Sequence, residues 1–479
     1  MESVSLYKFD NFDMNTYVNM FLTKTSVKGT KSRTVIECKV IYLQDLIIRK
    51  SMSNKDTDDF RLHSQILKNI IGDEYSAMLS TLIDMKYIKE SVNCDYKYIK
   101  GKQSKCFSIV EDKCQHIVST TTYNKKIINY LAEEEEQLFQ FRNKYIVPEI
   151  DRRYGMDFRV TYEKSLCKIK IEKPDELEQY IPIAIQLYKE KKKKRRKKKR
   201  KRKSKPMIEH YYNYVKNELA SKYKHIHSID TAGRIYHALT NTNREFKQFL
   251  NIAISADCKN SHPVLFCYFM MKWRGISIED SFKITSIMHS ITNISDVRET
   301  CCSVVDKLVI NRLSNDELEY IYLTSNGLLW DTVAEKHPEI DRNEVKEKMF
   351  AEVFYSNDKE TRCWQEYAKE FQEQFPKVFE LIKYWKNSKA PDIHKYMNDN
   401  GISTLKKATS ALSIAMMNLE AKIFIEILKR IYRKRWYAVH IHDCIIIPKT
   451  KSKNQPKKEQ VIKIMQDVYK EYGLAPSFD

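Results

Sequence analysis

The stretch "RWYAVHIHDCIIIPK", Arg435 to Lys449, decides how this chain is read. Two runs of strand-forming residues flank His442 and Asp443, with no Gly, Asn or Pro between the runs. The pattern predicts a β-hairpin that carries a carboxylate in nearly apolar surroundings. Burying that charge is costly unless something cationic compensates. Asp443 therefore calls for a cation and for other groups that share it.

A second carboxylate stands in "FLNIAISADCKNSHPVLFCYFMM", where Asp257 ends an apolar strand-like run just before a turn and a helical pattern. Two carboxylates at strand ends, far apart in sequence, suit a two-metal phosphoryl-transfer site, in which they bridge divalent ions about 3.5–4 Å apart. Mg²⁺ fits such a site, since it takes oxygen ligands and keeps room for substrate phosphates; Mn²⁺ is the alternative. A third pattern lies in "DRNEVKEKMFAEVFYS", where Arg342, Lys346, Phe350 and Phe354 recur every four residues. On a helix they form one stripe, two cations followed by two aromatics. The cations suit a triphosphate and the aromatics a nucleobase and its sugar. The same spacing also describes an ordinary surface helix with an apolar stripe.

Composition narrows the partner. The 479 residues are 42% hydrophobic and 31% charged, with a net charge of +21. Between Lys189 and Lys205, "KEKKKKRRKKKRKRKSK" packs 15 Lys or Arg with one Glu, a local +14 that includes Lys191, Arg195, Arg196 and Arg200. So many like charges repel one another, which predicts a solvated arm attracted to phosphates in a salt-dependent way. Nucleic acid is the expected partner; no stretch has the apolar length to cross a bilayer, and no lipidation signal stands beside the run. The N-terminus lacks the apolar core of a signal peptide, and the 11 scattered cysteines include no C-x-x-C, so reduced thiols and a cytoplasmic location are expected. The basic run also has the composition of a nuclear-localisation tag.

Ile66 to Ile109 reads as helices followed by a basic hairpin with Lys100-Gly101 at its turn, the outline of a winged helix, or of a small α+β domain that binds only protein. Residues from roughly 120 to 225 read as mostly helical, and beyond 226 strand-like runs alternate with helical ones. His225, His227 and His440 lack the further ligands of a zinc site and are expected to be ordinary residues.

The order Asp257, then Arg342-x-x-x-Lys346-x-x-x-Phe350-x-x-x-Phe354, then His442-Asp443 resembles the three palm-and-fingers motifs of family A polymerases, the bacterial DNA polymerase I-like and single-subunit phage RNA polymerase-like enzymes. A fourth stretch, "TAGRIYHALTNTNREFKQFL" (Thr231 to Leu250), resembles the segment with which that family grips the primer-template minor groove. The resemblance covers roughly residues 228–450. It implies a polymerase right hand, with an antiparallel palm sheet, helical fingers and a small thumb; together with the winged-helix-like reading of the N-terminal part, the expected fold is α+β. The implied divisions are 1–118 for the winged-helix-like domain, 119–225 for a thumb-like region holding the basic arm at 189–205, and 226–479 for palm and fingers, with fingers at about 275–360.

By that resemblance Asp257 and Asp443 would hold two Mg²⁺ ions. Lys346 would bind nucleotide phosphates and protonate the leaving pyrophosphate, Arg342 would bind phosphates too, and Phe350 and Phe354 would shape the nucleotide pocket. Arg234, Arg244, His442 and Asn418 would face nucleic acid, as would the basic arm, and Glu420 is a second polar candidate beside Asn418. Phe354 stands where the family has a Tyr whose hydroxyl helps sense the sugar, and Tyr355-Ser356 follows where Gly is expected. His262 takes the position, five residues after the first Asp, that carries Glu in DNA-making members and Gly in RNA-making ones. Its bulk favours deoxynucleotides, while its imidazole offers a hydrogen bond to a 2′-hydroxyl.

The expected activity is therefore a nucleotidyltransferase: a DNA-directed DNA polymerase of low processivity and without proofreading, serving a mobile element, phage or plasmid. The alternatives are an RNA polymerase or primase-like enzyme, a template-independent tailing enzyme, and a non-catalytic DNA-binding replication initiator. The expected partners are primer-template DNA or RNA and nucleoside triphosphates.

Overall fold

The computed structural model describes residues 4–25, 32–52, 59–62, 64–91, 105–110, 117–194, 212, 215–221, 224–242, 244–338, 341–355, 366–386, 390–402, 411–450 and 454–479. The chain divides into two compact units. One comprises Met1–Glu149, Ile171–Lys222 and Asn241–Phe249, the other Ile150–Lys170, Tyr223–Thr240 and Leu250–Asp479. Most of the helical region 119–225 belongs to the first unit, but the helix Met156–Lys168 joins the second, because its buried Tyr162 hydroxyl lies 3.1 Å from His440 Nδ1.

In the first unit, β1 (Val4–Phe9) pairs antiparallel with β5 (Ile117–Thr122), and α2 (Arg33–Met52) fills the core. The α2 stretch "VIECKVIYLQDLII" is apolar around most of its circumference, and a helix of that kind is stable only when surrounded by protein. Between α2 and β4 (Lys105–Ile109) run β2 (Asp59–Leu62), α3 (Ser64–Ile71), α4 (Tyr75–Asp84) and β3 (Ile88–Glu90). These strands form an antiparallel sheet in the order β2-β4-β3. The helical spacing read at 75–83 is met: Met78, Leu79 and Leu82 are buried, with Tyr75 and Ile83 packed against the same core. The turn expected at Lys100-Gly101 lies outside the described residues. The basic run begins inside the helix Pro174–Lys194; the side chain of Lys191 and the whole of Arg195, Arg196 and Arg200 also lie outside them.

The second unit is built on a three-stranded antiparallel sheet of β6 (Ile252–Asp257), β7 (Val439–Ile441) and β8 (Cys444–Pro448), with β8 in the centre. Helices α6 (Ser261–Trp273) and α8 (Ala411–Arg433) are buried along most of their length and pack on each other. The region from 275 to 360 is helical where described, and α7 (Arg342–Met349) is its last helix. The helix α9 (Lys458–Lys470) packs on α8 and β6. Among the described residues no helix is long and apolar enough to cross a membrane. Cys38, Cys167, Cys258, Cys267, Cys301, Cys302 and Cys444 are free thiols, whereas Cys106 is disulfide-bonded, against the expectation of reduced thiols throughout.

Candidate active site

The site grows from the pairing of β6 with β8. In "IAISAD" the alternate residues Ile254 and Ala256 are buried, the two-residue period of a strand with one covered face. Cys444 pairs with Asp257, and the Cys258 N–H donates to the Asp443 carbonyl at 3.1 Å. Residues 187 positions apart in the chain thus become neighbours at one end of the sheet. The hairpin between β7 and β8 turns on His442 and Asp443 alone, since Ile441 already pairs with Cys444. Two-residue hairpins need positive φ, and His442 takes it at 54° without being glycine, at a cost of about 1–2 kcal/mol. That strain is held where the chemistry is expected.

Asp443 sits in a hostile setting for an anion. Asp443 is half-buried; the loss of water around it raises its carboxyl above the ordinary range, and the negative charge of Glu420 raises it further, while His262 and Lys346 pull it back. Glu420, on α8, is itself buried, but the Arg234 guanidinium and His262 outweigh that burial and hold it down to about 2. Arg234 Nη2 lies 2.5 Å from Glu420 Oε2 and 2.8 Å from His262 Nε2, and His262 Nε2 lies 3.2 Å from Glu420 Oε1. The other ring nitrogen, Nδ1, bonds the Tyr355 hydroxyl. A guanidinium only donates, so when Nε2 accepts from Arg234 the proton sits on Nδ1 and goes to the Tyr355 oxygen; when Nε2 instead carries it to Glu420, a neutral ring accepts the Tyr355 hydrogen at Nδ1. Arg234 Nε, Asn260 Nδ2 and Glu420 Oε2 are buried with no hydrogen-bond partner of good geometry.

The stripe on α7 changes register. The helix passes into a π-helical turn at Phe350–Phe354, closed by the Tyr355 N–H donating to the Phe350 carbonyl at 2.9 Å. A π-turn adds one residue, so the fourth place of the stripe falls to Tyr355. The Tyr355 ring stacks on Phe350 with centroids 5.3 Å apart, and both rings stand edge-on to His262. Phe354, expected in the nucleotide pocket, is instead fully buried against Phe266 and Phe371. Lys346 lies over the Phe350 ring and acts electrostatically on Asp443. Arg342 is exposed and holds Asp331.

Other expected residues are placed differently. Asn418 is buried, donating to the Ala232 carbonyl at 2.9 Å and accepting from the Tyr396 hydroxyl at 3.1 Å, so its amide braces the loop before Arg234 rather than facing outward. Arg234 is turned inward onto Glu420. His442 is exposed beside Asp443. The backbone of Arg244 opens a 3₁₀ turn of the first unit, and its side chain lies outside the described residues. His440 is buried in the sheet, its pKa lowered to about 3 chiefly by burial, and its carbonyl is bonded by His237 Nε2 at 3.1 Å. It is a structural residue.

Asp257 and Asp443 are the carboxylates that this sheet end offers to a divalent cation. Among the described residues no three His, Cys, Asp or Glu side chains converge on one point. Two carboxylates are what Mg²⁺ takes from protein where substrate phosphates supply the rest, and a cation relieves the burial and repulsion at Asp443.

No family model and no curated protein matches the chain. Among solved structures it is similar to the POL domain of Pol1 from M. smegmatis, determined in complex with DNA primer-template and dNTP. The identity is 10% over 91% of this chain and 80% of that one, with a TM-score of 0.26. So low a score establishes no shared fold.

Proposed function

We propose that this chain is a template-directed nucleotidyltransferase of the family A polymerase kind, extending a nucleic-acid 3′-hydroxyl with nucleoside triphosphates. The observation that supports the proposal is the pairing of Cys444 with Asp257, which brings the backbone of Asp257 next to the hairpin turn that carries Asp443, on which Lys346 acts electrostatically. Bound there by Asp257 and Asp443, a pair of Mg²⁺ ions would activate the attacking oxygen and offset charge on the leaving one. Arg342 and Lys346 take the triphosphate, and Lys346 supplies a proton to the departing pyrophosphate. Phe350 and Tyr355 present stacked rings to the base and sugar, and the Tyr355 hydroxyl fixed on His262 is a rigid wall at the sugar edge that favours deoxynucleotides.

In this reading the β6-β7-β8 sheet is the palm, the helices from 275 to 360 are the fingers, and the β2-α3-α4-β3-β4 module of the first unit is a winged helix that contacts duplex. The basic run adds phosphate attraction.

The test is extension of a primed single-stranded DNA with Mg²⁺, supplying dNTPs and NTPs separately, for the wild type and Asp443→Ala. Extension by the wild type alone supports the assignment. No extension with either nucleotide, on primed or unprimed strands, with DNA binding intact, replaces it with the initiator reading.

A further inference from the structure

Asp257 is paired on both sides. On one side stands Cys444; on the other, the segment Ala475–Asp479 returns to the same strand end. Phe478 bridges Cys258 in antiparallel sense, and Asp257 and Asp479 exchange both backbone bonds. The Asp479 N–H donates to the Asp257 carbonyl at 3.0 Å, and the Asp257 N–H to the Asp479 carbonyl at 3.4 Å. The Lys259 N–H donates to the Ser477 carbonyl at 3.0 Å. Directly opposed residues of an antiparallel pair share a face of the sheet, and diagonal neighbours lie within reach of long side chains. Lys259 accordingly holds the Asp479 carboxylate at 2.8 Å.

The segment is itself tied down. The Ser477 N–H and hydroxyl both donate to the Ser325 carbonyl, at 3.0 and 2.9 Å. His289 Nε2 bonds the Ala475 carbonyl at 2.7 Å, and the Phe478 ring packs edge-on against the buried Tyr469. Its anchors thus reach the helical region 275–360 and α9.

Resting on the nucleotidyltransferase reading, we propose that Ala475–Asp479 is a positioning strand for Asp257, fixing the backbone from which that carboxylate meets the metal. Without it, the N–H and C=O of Asp257 would lie on an open sheet edge, free to fray. A reacting centre displaced by about 1 Å loses on the order of a hundredfold in rate.

The test compares Asp479→Pro, which deletes the N–H donated to Asp257, with Asp479→Ala, which keeps the backbone pair and removes only the ion pair with Lys259. Two quantities are read: affinity for Mn²⁺ alone by calorimetric titration without nucleotide, and the Mg²⁺ dependence of primer extension. Asp479→Pro is expected to weaken Mn²⁺ binding by about tenfold or more, and to lower kcat with the KM for dNTP nearly unchanged, whereas Asp479→Ala costs no more than about threefold. Should Asp479→Pro fail to fold, Phe478→Ala, which releases the segment from Tyr469, is expected to move both readouts in the same direction by less. Equal losses for Pro and Ala would overturn the proposal by showing that the carboxylate, not the strand, acts. Wild-type Mn²⁺ affinity in Asp479→Pro would overturn it too. A wild type that neither binds Mn²⁺ nor extends a primer sinks the polymerase reading itself, and the positioning role falls with it.

Discussion

Each unit of this protein buries a group of charges, and the two groups differ in how completely they are answered. In the first unit, Arg49 bridges Asp45 and Glu134, each at 2.7 Å. Asp45 also accepts the Tyr7 N–H at 2.9 Å, and Glu134 accepts the Tyr42 hydroxyl at 3.1 Å. That network ties α2 to β1 and to the helix Lys125–Phe141. In the second unit, buried Glu420 has Arg234 and His262, half-buried Asp443 has no ion pair among the described residues, and polar atoms of Arg234, Asn260 and Glu420 are left without well-formed hydrogen bonds. Buried charge by itself marks a fold that must hold it. Buried charge left incomplete marks a place where something else binds.

The largest expected effect comes from breaking the completed group. Arg49→Met leaves two buried carboxylates unpaired and should cost about 3–5 kcal/mol of stability, read in denaturant melts, while extension at permissive temperature continues. Loss of extension at full folding would erase the distinction between the two groups.

Glu420→Gln should cost about 3 kcal/mol, because it strands Arg234. Its pH dependence has a definite sign. The Glu420 carboxyl is depressed to about 2 in the fold, so its contribution is full above the unfolded value near 4.3 and is lost as pH falls from there through about 2. The stability gap between the wild type and Glu420→Gln should therefore close over that window. A gap that is flat in pH would show that Glu420 is not paired as described.

Smaller effects sharpen the site itself. Tyr355→Ala should lower the preference for dNTP over NTP by about tenfold, measured as a ratio of kcat/KM, whereas Phe354→Leu should lower melting temperature and leave the ratio alone. The opposite pattern would restore Phe354 to the pocket. The smallest effect belongs to the basic run. Changing Arg195, Arg196 and Arg200 to Gln should flatten the slope of log affinity for duplex DNA against log salt by about 2–3, close to one for each phosphate no longer neutralised. An unchanged slope would remove the run from the interface.

The strands that carry Asp257 and Asp443 were legible in the sequence. The alternation of "IAISAD" and the apolar runs around His442-Asp443 are local patterns, and local patterns survive folding when a buried face enforces the register. The stripe was legible only as far as Phe350. Spacing by four assumes an uninterrupted α-helix, and the π-turn that hands the fourth place to Tyr355 goes with the burial of Phe354 among Phe266 and Phe371, a tertiary contact that no window of sequence contains. Asn418 and Glu420 looked alike as polar residues on one helix; only the fold reveals that one braces a backbone carbonyl while the other anchors an arginine. The tail strand was invisible for the same reason, since a short "APSFD" has no periodicity and gains its pairing from the edge it meets. That the helix Met156–Lys168 groups with the second unit was not legible, because Tyr162 reads as one aromatic in a helical run and its partner His440 lies 278 residues away.

The central claim is that Asp257 and Asp443 act as one unit, and a double-mutant cycle on primer extension tests it most directly. Residues that serve a single catalytic device are grossly non-additive. Asp257→Ala and Asp443→Ala should each lower kcat/KM by about a thousandfold or more, and the double variant should fall no more than about tenfold further. Substantial extension by either single variant, or two losses that multiply in the double, would contradict the account.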